Sequence, residues 1–240
     1  MKEKAVEQEV RLNEKQWERA SEYFQAYTGV SVADIPPKFS PYVLPAKEIV
    51  KNEGRLQMKH MTAEVTGHPR DGLQLDDGIA FSGKQIGKAY EEAQQIVLFA
   101  AAMVNIQEIL QRHSEMMEAF FIEYWTVSLL SICREQLQSQ LAEQYRNSGL
   151  QLTGVWSPGQ SGFELQNQIP LFDLLKPQTI GITLDEHQRM LPLKSISGTV
   201  GLVPEHCEIT MQPCDYCTFG KTCPGYSGVK YKDSAGRRLL

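Results

Sequence analysis

"GVWSPGQSGFELQNQIPLFDLL", residues 154–175, places a Ser157-Pro158-Gly159 turn and a further Gly162 between an apolar strand end and a short apolar-periodic segment. Proline fixes φ, and glycine reaches backbone conformations that a side chain forbids. A turn of this kind can simply join a strand to a helix. It can also bring backbone N–H groups up to a carboxylate or phosphate at a helix start. Trp156 offers a flat apolar face to a purine-like ring, or fills a core.

Outward from the turn, strands and helices alternate. Upstream, "LQLTGVW" (150–156) reads as a strand, and residues 106–146 are helical throughout, as two helices meeting near Met116. "IVLFAAAMV" (96–104) is short, continuous and partly β-branched, the pattern of a buried strand. "IAF" (79–81) predicts a short strand, with Ser82 as N-cap of a helix reaching about Gln94. Downstream, residues 166–175 predict a helix, "TIGITL" (179–184) a strand and "ISGTVGLV" (196–203) a second strand with glycine relief. In the first third, residues 12–28 predict a helix stopped by Gly29 and "RLQMKHMTAEV" (55–65) a strand. "ADIPPKFSPYVLP" (33–45) reads as extended and "GHPRDGLQLDDG" (67–78) as a loop. The pattern is that of an α/β (α+β) fold whose sheet need not be parallel.

The chain has 240 residues, 42% of them hydrophobic and 22% charged, as expected of a folded globular protein. A net charge of −5 gives no electrostatic basis for nucleic-acid binding. The run 96–104 is about half the length that crosses a bilayer, and the charged N-terminus lacks the apolar core of a secretion signal, so the expectation is a cytoplasmic protein with no membrane partner.

Cys133 stands in a helical apolar stretch and reads as a buried, inert thiol. The other four cysteines, Cys207, Cys214, Cys217 and Cys223, follow a Cys-x6-Cys-x2-Cys-x5-Cys spacing. Two thiolates separated by two residues can grip one metal from a single tight turn, and the flanking pair completes a four-thiolate set. Such a set suits an iron–sulfur cluster or zinc, and Pro224 after Cys223 leans toward the cluster. In "MLPLKSISGTVGL" (190–202), Lys194, Ser195 and Ser197 form a weaker constellation: a cation for an anion, or a solvated strand entry.

Taken in order, Pro158-Gly159, Leu174-Leu175, Gly181-Ile182-Thr183-Leu184 and Pro192 to Gly198 resemble the activation domain of cobalamin-dependent methionine synthase, and small stand-alone proteins related to it. The likeness covers residues 150–203 well, 79–149 in general layout, and leaves 1–75 and 204–240 outside. It implies a twisted, largely antiparallel or mixed sheet flanked by helices. The implied organisation is an N-terminal helical and extended segment (1–75), an activation-domain-like core (76–205) and a cysteine-rich tail (206–240). It further implies that Trp156, Ser157, Pro158, Gly159 and Gln160 line a shallow groove for S-adenosylmethionine, with Glu123 and Glu135 as candidate acidic residues. The family's arginine three residues before the proline is Val155 here, and its tyrosine after the glycine is Gln160. The implied role is reductive reactivation of a corrinoid-dependent methyltransferase, with the corrinoid on a partner protein and the tail as an electron carrier. A non-catalytic module that docks a corrinoid protein, its tail stapled by zinc, is the alternative.

Overall fold

The computed structural model describes residues 5–160 and 162–216. In chain order the elements are β1 (Val6–Glu9), α1 (Glu14–Thr28), α2 (Ser40–Glu53), β2 (Leu56–Gly67), β3 (Gly72–Leu75), β4 (Ala80–Ser82), α3 (Lys84–Ala89) and β5 (Gln95–Met103). They continue with α4 (Ile106–Arg112), α5 (Met116–Gln144), β6 (Leu150–Trp156), α6 (Gln168–Leu175), β7 (Thr183–Leu184), β8 (Met190–Leu191) and β9 (Ser195–Pro204). The main sheet has the order β4-β3-β2-β5-β9-β6, with β1 on β2, and every pairing is antiparallel. The fold is mixed α/β, an antiparallel sheet flanked by helices.

The central strand explains its own sequence. Ile96 to Met103 is buried at every position. Val97, Phe99, Ala101 and Met103 face the layer of α1, α2 and α5, while Ile96, Leu98, Ala100 and Ala102 face a second core that includes Trp156 and α6. A strand covered on both faces has no polar side, so its apolar run is continuous rather than alternating. α5 is long and apolar enough to cross a membrane by length and composition. Its apolar residues, Phe121, Trp125 and Leu129 among them, are instead buried in the first core. Cys133 lies there too, and burial pushes its thiol up to about 12.

Several local expectations are corrected. Residues 33–45 are not extended throughout: α2 begins at Ser40, with Pro41 in its first turn and Pro45 inside it. Proline is tolerated in a first turn, and burial of Val43, Ala46 and Val50 on the core outweighs the bond lost at Pro45. The loop 67–78 contains β3. The helix expected from Ser82 to Gln94 shrinks to α3, capped by Gly83, because Tyr90 turns inward to bond Thr199. Thr179 and Ile180 of "TIGITL" close a 3-10 turn, Pro177–Ile180, and only its last two residues, Thr183–Leu184, are strand.

The segment 1–75 supplies β1, β2 and β3 to the same sheet, and β2 pairs with β5 along Leu56–Glu64. One buried charge ties it to the far side. Lys59, nearly buried, pairs with Glu7 at 2.8 Å and donates to the carbonyl of Lys176 (3.0 Å) and to Thr179 Oγ1 (2.8 Å). Its bonds to Lys59 and Thr179 hold the Glu7 carboxyl below its ordinary 4.5. A depressed carboxylate stabilises the fold above its ordinary pKa, and that contribution fades as pH falls through the folded value. Glu7→Gln is expected to lower Tm at pH 7 by a few degrees, the size of about 1 kcal/mol in a chain of this length. A pH series of melting curves should show the difference between variant and wild type shrinking as the pH falls below 4.5 and Glu7 itself protonates.

Candidate functional site

β6 ends at Trp156, and the chain then makes two linked turns. The Gln160 amide donates to the Ser157 carbonyl (3.1 Å) around Pro158 and Gly159, whose φ is 94°, giving a type II turn. The Phe163 amide donates to the Gln160 carbonyl (2.9 Å) around Gly162, φ 72°. Across the base, the Gly159 amide donates to the Phe163 carbonyl (2.8 Å). The Ser157 amide donates to Gln160 Oε1 (2.9 Å), so this side chain folds back over the turn. The amides of Ser157, Gly159, Gln160 and Phe163 are thus bonded within the loop. Gly159 and Gln160 are exposed, Ser157 half-buried and Pro158 buried. The exposed face is therefore made by Gly159 and the Gln160 side chain.

The turn is held rigidly from behind. Asn167 acts as a rung between segments: its Oδ1 accepts from the Ser82 amide (2.8 Å), and its Nδ2 donates to the carbonyls of Ser82 (2.8 Å) and Glu164 (2.8 Å). Phe163 is buried edge-on against Phe81 at 5.9 Å. The backbone of Gly83 lies directly against the Gly162 carbonyl, so close that a Cβ on Gly83 would collide with it.

Trp156 lies beneath the turn, fully buried in the second core, and its indole N–H has no hydrogen-bond partner among the described residues. Thr199 links Trp156 to the sheet: its hydroxyl reaches the Trp156 carbonyl (3.3 Å) and Tyr90 OH (2.8 Å). Burial raises the Tyr90 phenol well above its ordinary range. Val155 points to the opposite face, against the first core.

The other candidates are engaged elsewhere. Lys194 lies 3.5 Å from Glu123, Ser195 Oγ donates to the Pro192 carbonyl (2.6 Å), and Ser197 Oγ donates to Gln168 Oε1 (3.0 Å). Glu135 is held by Arg19 (2.8 Å) and Tyr23 OH (2.7 Å) between α1 and α5, across the sheet from Trp156. A groove of about 690 Å³ runs along that helix pair. A second cavity, about 450 Å³, lies between Lys88–Glu92 and residues 206–211, over Thr153 and Val203. Neither is lined by Ser157–Gln160. Cys207 is half-buried and free. The Cys214 side chain, Cys217 and Cys223 lie outside the described residues, and among the described residues no group of three or more His, Cys, Asp or Glu could hold a metal ion. Sequence reasoning missed Asn167 and Gln160 as the residues that fix the loop; an Asn directly before a helix start that carries Pro170 was the available signal.

No family model matches this chain, and no curated protein matches it in sequence. Among solved structures, it is similar to the MetH reactivation domain bound to AdoHcy, with a TM-score of 0.61 and 12% identity over 85% of this chain and 80% of that one. At that identity the likeness is one of fold, an antiparallel sheet flanked by helices.

Proposed function

We propose that this protein binds S-adenosylmethionine on the exposed face of the Ser157–Gln160 turn and serves the reductive reactivation of a corrinoid-dependent methyltransferase. The observation that carries this reading is the fold shared with a reactivation domain whose structure holds AdoHcy. The ordered motifs between Pro158 and Gly198 support it. Ser157, Gly159 and Gln160 are the contact residues, and Pro158 and Trp156 shape the turn from below. The corrinoid belongs to a partner protein. The tail cysteines hold an iron–sulfur cluster or zinc, and a cluster supplies an electron at the low potential that an oxidised corrinoid needs.

Because the loop already bonds its own amides, the ligand's carboxylate is met by solvent or by other groups, and affinity comes from the ring and ribose. Micromolar to millimolar binding is the expectation. Calorimetric titration with S-adenosylmethionine and S-adenosylhomocysteine should give saturable heat and a rise in Tm with ligand. Absence of both at millimolar ligand overturns the reading.

The inward-bonded amides of the turn favour one second reading, a corrinoid-protein docking module with a zinc-stapled tail. It predicts no S-adenosylmethionine binding but retained capture of a corrinoid protein, with zinc and no iron after anaerobic purification.

A further inference from the structure

After leaving the sheet at β9, the chain returns along β6 toward the Ser157–Gln160 turn. At the start of β6, Gln151 Nε2 donates to the carbonyls of Pro204 (3.1 Å), Glu205 (3.2 Å) and Cys207 (2.6 Å). Farther along, Gln212 and Pro213 close over Gly154, where a Cβ would stand 2.7 Å from each of them. Met211 is buried in the second core and holds this stretch down. A 3-10 turn, Pro213–Tyr216, then brings the Tyr216 ring against Trp156, with centroids 6.1 Å apart and planes inclined at 41°.

A purine stacks on a ring that keeps one face open. The rings packed around the turn do not: Phe81, Tyr90, Trp156 and Phe163 are each at most 2% exposed. Residues 157–160 carry no aromatic side chain. Tyr216 differs, since one side meets Trp156 while the residue stays 40% exposed. Three residues away from Trp156, Leu165 Cδ1 lies 3.5 Å from where a Cβ on Gly159 would stand, and Leu165 is 38% exposed. Two exposed apolar side chains thus stand at the two ends of Trp156–Gly159, a span of at most about 11 Å. We infer that Tyr216 stacks on the purine of the adenosyl ligand, so that the segment after β9 forms one wall of that ligand's site. A purine laid on this ring takes its open apolar face out of water, which supplies binding energy without the turn's inward-bonded amides.

This inference rests on the S-adenosylmethionine reading given under the proposed function, and the two fail separately. Calorimetric titration with S-adenosylhomocysteine compares the full wild-type chain with Tyr216→Phe and Tyr216→Leu. The phenylalanine variant keeps the ring and should bind within about twofold of wild type. The leucine variant still covers Trp156 but cannot stack, and should bind at least about fivefold more weakly, the low end for loss of one base–ring stack. A wild-type Kd in folded Tyr216→Leu overturns the Tyr216 assignment alone. Nitration of the wild-type chain by tetranitromethane, followed by peptide mapping, decides the matter where the leucine variant does not fold. S-adenosylhomocysteine at about ten times its Kd should slow nitration of Tyr216 about tenfold. Tyr42, which packs on the first core across the sheet, should keep its rate. An unchanged Tyr216 rate overturns the assignment. Wild-type protein that gives no saturable heat at millimolar ligand overturns the S-adenosylmethionine reading and this inference with it.

Discussion

Gly83→Ala is expected to cost about 4 kcal/mol of folding stability. Two effects add. Gly83 sits at φ 147° and ψ 131°, a region essentially restricted to glycine, and forcing a side-chain-bearing residue there costs about 1–3 kcal/mol. Its Cβ would also collide with the Gly162 carbonyl, a backbone atom that cannot rotate away, and relieving such overpacking costs about 1–3 kcal/mol more. The sum is a large share of the 5–15 kcal/mol that holds a typical domain together. Gly78→Ala is the control: φ is 73° there, but nothing lies within 4 Å of a new Cβ, so only backbone strain of about 1 kcal/mol is expected. Urea unfolding of both variants checks the pair. Equal losses would show that the Ser157–Phe163 loop does not rest on Gly83. Because the collision displaces that loop, any ligand bound on its exposed face should be lost from folded Gly83→Ala.

Trp156→Ala should cost about 3–5 kcal/mol, the range for truncating a fully buried aromatic ring. A comparison with Trp125 separates packing from hydrogen bonding. Trp125 is equally buried, but its indole N–H donates to the Val43 carbonyl at 3.0 Å. Trp125→Phe removes that bond, at about 0.5–1.5 kcal/mol on top of the lost volume. Trp156→Phe removes an N–H that has no partner among the described residues, so it should cost less by about that amount. Denaturant titration of the two phenylalanine variants gives the difference directly, and equal costs would mean that Trp156 has an acceptor in solution.

The parts of the fold that were legible in sequence are those where burial writes a period or an uninterrupted run. β5, β6 and β9 and the two helices meeting near Met116 fall where the pattern places them, because each covers a core with side chains at fixed spacing. α2 was obscured because Pro41 and Pro45, with Pro36-Pro37 upstream, signal extended chain, while the helix is held by packing that local propensity does not register. β3 is four residues between turn formers, too short to show alternation. At the site, Pro158-Gly159 announced the turn and its positive φ. The direction of its amides was hidden, since it depends on Gln160 folding back onto Ser157 and on the Phe163 carbonyl reaching Gly159. Asn167 and Gln151 were hidden for a related reason: a side-chain amide that bridges backbone groups distant in sequence leaves no periodic trace.

The outer strands of the sheet have a further consequence, for behaviour in concentrated solution. An open sheet edge is a template on which a second molecule can add a strand and begin an aggregate. Here one margin is formed by β4, only three residues long, and by β1, four residues paired with β2. The other is β6, whose ladder with β9 is broken between Leu152 and Val155, where Thr153 Oγ1 takes the Gly201 amide at 2.8 Å. Gln212 and Pro213 then lie over the irregularity, and proline has no N–H with which to continue a ladder. Short, bulged and covered margins leave a neighbouring copy little regular backbone to copy, so the same segment that carries the cysteines also keeps the sheet from growing between molecules.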